Sequence, residues 1–227
     1  EEVRHASLLA LVACGHHQHE PFPGFEGGSS TETIPIFERL LQSEITEATW
    51  TLGALLDIDV AATRLSRTGG PMSMAGGPMS MTGGPMSQVP SSAAQSGSGV
   101  IALEGLGLVT RALRRELAGS RERILLLLSF LYDAQAMHAA RANHASSSTD
   151  RRAIALELLD SALPAKMSNL VFPLFDDVAP TQALEDMPDD VVDEDAARQG
   201  RRGRLRDLLD PERVNVTAWT RVCAIWA

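Results

Sequence analysis

Aromatic side chains are scarce in this chain: Phe, Trp and Tyr together make up 4% of 227 residues, with a single Tyr. Strands favour β-branched and aromatic residues, so this poverty, beside abundant Ala and Leu, argues against a β-sandwich and for helices. Cysteine is almost missing as well. Cys14 and Cys223 lie far apart with no paired spacing, which gives no disulfide or zinc-ribbon signal and fits a reducing cytoplasm. Positive charge is in deficit, and the net charge of -9 argues against nucleic acid as an obligate partner, because phosphate binding needs a positive field. No apolar run approaches the roughly 20 residues of a membrane span. The most apolar block, Ile124 to Leu131, is short and follows Arg121, Glu122 and Arg123.

What is present is helical periodicity. Val3, Ala6, Leu9 and Val12 mark a first helix that Gly15 ends. A long helix is expected over about 33–64, with Ile36, Leu40, Leu41, Ile45, Ala48, Leu52, Leu55 and Leu56 inward and Pro35 in its first turn. Glu38, Glu44 and Glu47 read as its wet face rather than as acid-base machinery. Another long pattern runs from Val100 to about Tyr132, with bending or a break expected near Gly119-Ser120. It leads into the Ile124–Leu131 block, which is apolar all round and must be enclosed by neighbours. Asp133 is placed to cap a helix from Ala134, and further helices are expected from Asp150 to Pro164, Ala165 to Phe175 and Thr181 to Met187. Leu205, Leu208 and Leu209 start a short helix stopped by Asp210-Pro211. The last helix is read with Trp219, Val222, Cys223 and Trp226 inward.

Between these patterns lie strings of more chemical appearance. His16-His-Gln-His-Glu20, with Cys14 beside it, is a donor set that suits zinc. A tight site draws its tetrahedron from separated elements, so one loop followed by Pro21 and Pro23 reads as solvated. Residues 67–99 repeat Gly-Gly-Pro-Met-Ser in two full seven-residue units and a partial third. Gly-Gly-Pro in every unit forbids a coiled coil, and the segment reads as a disordered linker. Its Met72, Met74, Met79, Met81 and Met86 are soft thioethers of the kind that hold Cu(I), so the His16–His19 and Met72–Met86 strings carry the competing metal-binding reading. Near 186–204, Asp186, Asp189, Asp190, Asp193, Glu194 and Asp195 are answered by Arg198, Arg201, Arg202, Arg204 and Arg206. These are read as two blocks screening each other on an exposed loop, with anionic lipid or nucleotide phosphate as the alternative partner of the arginines. The acidic tract lacks the Gly-centred loop of a calcium site. Gly105-Leu-Gly107 follows no strand and is therefore not a phosphate loop. His138 and His144 lie in a helical pattern without a spaced nucleophile and are read as core-bordering.

A family resemblance rests on particular stretches. Arg152-Ala-Ile-Ala-Leu-Glu-Leu-Leu-Asp160, Leu163-Pro164 and Leu170-Val-Phe-Pro-Leu-Phe-Asp-Asp177 resemble a bacterial HEAT-type helical repeat region. Val3-Arg-His-Ala-Ser-Leu-Leu-Ala-Leu11 and Trp219-Thr-Arg-Val-Cys-Ala224 look like further repeat helices. The variety is similar to the region appended to major facilitator transporters akin to ATP:ADP antiporters. It covers roughly two thirds of the chain by pattern, and residues 67–99 depart from it.

The resulting expectation is an all-α chain, an antiparallel HEAT-like stack interrupted by a disordered linker, with repeat segments over 1–66 and 100–227. Both ends read as cut within helical patterns, so a fragment of a larger protein is expected. No catalytic, cofactor or metal residue is assigned. The expected role is a non-enzymatic, cytoplasmic scaffold that binds a protein partner or another domain of its own chain. The resemblance adds the alternative of a regulatory region of a nucleotide transporter.

Overall fold

The computed structural model describes residues 30–68, 92–188 and 199–227, and every regular element among them is an α-helix. Two long ones dominate: α1, Ser30–Thr68, and α2, Ser92–Leu131. At 1.5 Å of rise per residue each is about 60 Å long. They run antiparallel, because Phe37 stacks on Phe130 at 4.6 Å between ring centroids while Glu44, one to two turns further along α1, meets Arg123, further back on α2. Leu41, Ile45, Ala48, Leu52, Leu55 and Ile58 supply one side of the seam, and Leu106, Val109, Leu113, Leu117, Ile124 and Leu128 the other. Each fully buried aliphatic side chain is worth about 1.5–3 kcal/mol, so this seam is the main source of cohesion. The Ile124–Leu128 block is wholly buried, as its all-round apolarity requires.

Six shorter helices among the described residues surround the two long ones. Asp133 caps α3, Ala134–His144, by accepting from the amides of Gln135 at 2.9 Å and Ala136 at 3.3 Å. Helix α4, Thr149–Ala162, packs against α3 and is followed by Pro164 at the entry to α5, Ala165–Phe175. Helices α5 and α6, Pro180–Glu185, return the chain to α1, where the Thr49 hydroxyl lies 3.4 Å from the Met187 sulfur. Helix α7, Gly200–Leu209, lies on α1, and α8, Ala218–Ile225, lies on α2 and α7.

Several sequence-based expectations need correction. Residues 92–99, read as the end of a flexible linker, form the first turns of α2. No Pro follows Pro90 there, and extending an existing helix avoids the cost of nucleation. Helix α2 is also unbroken at Gly119-Ser120, where Ser120 is buried and its hydroxyl accepts from Arg123 Nη2 at 3.0 Å. Ile36 is exposed rather than inward. Glu44 is not on the wet face: it is 0% exposed, and its Oε2 accepts from Arg123 Nε at 2.9 Å. Its position falls between those of the buried Leu55 and Ile58 on the helix wheel, so the helix carries it inward with them.

Arg204 also departs from its expected place on an exposed loop. It is 1% exposed in α7, donates to Asp57 Oδ2 at 2.9 Å and lies 5.1 Å above the centre of the Trp50 ring. Gly53 makes the approach possible, since a Cβ there would come within 2.5 Å of the guanidinium. A charge this deep needs both partners, because desolvation costs several kcal/mol before any pairing is counted.

Candidate functional site

The seat of α8 is polar at one end and tight at the other. At its start, Thr217 caps the helix, its hydroxyl facing the Thr220 amide at 3.4 Å. Glu116 of α2 reaches the same turn and accepts from the Thr217 amide at 2.9 Å and from the hydroxyls of Thr217 and Thr220. A carboxylate at a helix N-terminus also suits the helix dipole. At the other end, the carbonyl of Trp226 sits so close to Gly105 that a Cβ there would overlap it. Arg201 of α7 donates to the Ala227 carbonyl at 3.4 Å, and Arg221 to that of Val214 at 3.1 Å. Burial pushes the Cys223 thiol up from its usual value, and the Arg111 charge partly opposes this.

This seat decides which face of α8 turns inward. Thr220, Cys223 and Ala224, small residues that let the helix approach α2 closely, are buried. Three large apolar side chains expected inside point out, Trp219 at 57% exposed, Val222 at 43% and Trp226 at 67%, and Ile225 is 69% exposed beside them. Only Cys223 of the four residues read as inward is buried. The four exposed side chains share one arc of the helix, and Leu209 at the end of α7 is exposed as well. Scattered exposed apolar residues are ordinary, and this set differs from them in sharing one face that carries two Trp.

No family model, curated protein or solved structure matches the chain.

A cleft of about 280 Å³ opens between α1, α2 and the 211–216 turn, with Glu47, Trp50, Glu116, Ser120 and Arg123 among its walls. Ligand pockets usually enclose about 300–1,000 Å³, and here the polar walls are engaged in structure, Glu116 with α8 and Arg123 with Glu44. A second cluster surrounds His144, whose ring meets Phe175 edge-on at 5.0 Å. Burial lowers its pKa below the usual value, helped by Arg121 and Arg152 and opposed by Asp177 and Glu122. Arg121, itself lowered by burial, donates to the Leu174 carbonyl, Arg152 pairs with Asp177 at 2.8 Å, and Arg141 pairs with Glu122. The Arg121 and Glu122 contacts fasten α2 to α5 and α3, and the Arg152 pair ties α4 to the turn after α5.

His138 and His144 are both half-buried in or at the end of α3, bordering the core as expected. Asp186 is exposed and accepts from Gln182 at 2.9 Å, while Asp189, Asp190, Asp193, Glu194, Asp195 and Arg198 lie outside the described residues. So do the His16–His19 and Met72–Met86 strings. Among the described residues, no three His, Cys, Asp or Glu side chains gather as a metal site, and no helix is long and apolar enough to cross a membrane.

Proposed function

We propose that this chain is a non-catalytic helical scaffold, a HEAT-like interaction module that docks a protein partner or another domain of its own chain through the outer face of α8. The carrying observation is the outward set Trp219, Val222, Ile225 and Trp226 on a helix whose inner face is fully committed to α2. Trp is the residue type most enriched at binding hot spots, because it brings large area and a single polar atom at low entropic cost. The helix is braced from both ends, so the face is held ready rather than ordered on contact, which lowers the cost of association. A cytoplasmic regulatory region of a nucleotide transporter, the context carried by the resemblance, would use the same face to touch the rest of its chain.

The test is a selection of displayed single helices, with their outward positions randomised, against the whole chain. Every selected helix is then measured again on the W219S/W226S variant. Selected helices are expected to bind with Kd on the order of 1–10 μM and to lose at least about tenfold on the variant. Selected helices that ignore Trp219 and Trp226, or a selection that enriches nothing, overturn the reading.

A further inference from the structure

The last turn of α5 is held from outside as much as from within. Leu170, Val171, Pro173, Leu174 and Phe175 are buried there. Pro173 has no N–H to offer the Asn169 carbonyl, so the helix misses one of its own bonds just where it ends. Nearer the helix start, Ser168 is buried and its hydroxyl has no hydrogen-bond partner. Neighbouring helices supply the remaining hold. Arg121 of α2 donates to the Leu174 carbonyl, and the His144 ring at the end of α3 meets Phe175 edge-on at 5.0 Å. Local opening starts where a helix has few bonds of its own, and this turn meets that condition.

The surroundings of His144 are set against a second proton on its ring. Nδ1 is buried and has no hydrogen-bond partner. A neutral imidazole leaves one bond unmade at that nitrogen, whereas an imidazolium donates from both nitrogens and would bury an unanswered N–H that carries charge. The charged groups acting on the ring come from three sides. They are Arg121 and Glu122 of α2, Arg152 of α4, and Asp177 in the turn after α5. Both carboxylates are already engaged, Asp177 with Arg152 at 2.8 Å and Glu122 with Arg141 of α3. Asp176, next to Phe175, accepts from the Asp177 amide at 2.8 Å.

We infer that His144 is a proton-operated latch on α5: the neutral ring backs Phe175, and a second proton expels the ring and lets the last turn of α5 come away from α2 and α3. The latch lies apart from the α8 surface and stands whether or not that surface docks a partner. Burial, helped by Arg121 and Arg152, holds the closed ring below the usual histidine value. The freed ring titrates near 6.5, so the open form takes up a proton that the closed form resists. Opening therefore becomes up to about tenfold more frequent at pH 5.5 than at pH 7.5. Leu174 and Phe175, both buried in the closed form, are what it uncovers, so acid exposes apolar surface that neutral pH hides.

Amide hydrogen exchange of the whole chain, followed by NMR from pH 7.5 to 5 and corrected for intrinsic rates, tests the latch. The amides of Leu174, Phe175 and Asp176 should be less protected than those of the α1–α2 seam throughout. Their protection should start to fall below about pH 6.5 and drop by up to about tenfold. The fall should level off at the midpoint of the His144 ring's own titration in the folded chain. In H144Q and H144F, neither of which takes up a proton there, it should shrink to less than about twofold. Protection at the end of α5 equal to that of the seam means that no separate opening exists, and overturns the latch. So does a fall that ignores the His144 midpoint, a reading made on the native chain even where both variants fail to fold. An undiminished fall in folded H144Q or H144F assigns the proton to another group and overturns it as well.

Discussion

At the residue scale, a few polar atoms hold elements that apolar packing alone leaves loose. Glu116 satisfies one amide and two hydroxyls at the start of α8, so Glu116→Ala should cost about 1–3 kcal/mol by leaving them without this acceptor. Glu116→Gln should cost less, and urea denaturation followed by far-UV circular dichroism separates the two. Buried charge behaves differently. Arg123→Met sets an apolar side chain against Glu44 and should cost about 3–5 kcal/mol, whereas the double change Glu44→Leu with Arg123→Met should recover most of the loss. His144 gives the pH dependence. Its folded pKa lies below the usual value of 6.5, so the unfolded chain binds the proton first as pH falls. The neutral ring's contribution is complete above about 6.5 and is lost as pH drops toward the lower folded value. The urea midpoint should therefore fall between pH 7.5 and 5.5 by more in the native chain than in His144→Gln. The residue scale was also the least legible one. Arg204 and Asp57 lie 147 positions apart, and no local pattern announces such a pair. Glu44 was legible in principle, since its place between Leu55 and Ile58 follows from helical arithmetic, but its charge argued the other way.

At the element scale, periodicity and caps read well. Asp133 before α3, Pro164 between α4 and α5, and Asp210-Pro211 after α7 stand where turn and cap chemistry place them. The error at α8 has a specific cause. Hydrophobicity ranks Trp219, Val222 and Trp226 above Thr220 and Ala224, yet close approach to Gly105 and bonds to Glu116 reward small and hydroxyl-bearing side chains. Two consequences separate this arrangement from an ordinary core helix. W219S/W226S should shift stability by no more than about 0.5 kcal/mol, as surface changes do, against about 3–5 kcal/mol for a Trp truncated within a core. Gly105→Ala should push the Trp226 carbonyl away and speed amide hydrogen exchange in α8, with α1 unchanged.

At the scale of the whole molecule, the all-helical class followed from composition and apolar spacing, and the enclosed Ile124–Leu128 block from its lack of a polar side. The order of packing did not, because which helices meet depends on pairs such as Phe37 with Phe130. The antiparallel α1–α2 seam has a practical corollary. Its cohesion is carried across space by side chains from two stretches of sequence. Cleaving an engineered protease site between residues 69 and 91 should leave both products eluting together in gel filtration and separating only in denaturant. Co-produced as two polypeptides, residues 1–80 and 81–227 should complement each other, turning a single chain into a split pair whose assembly reports the concentration of whichever half is scarcer.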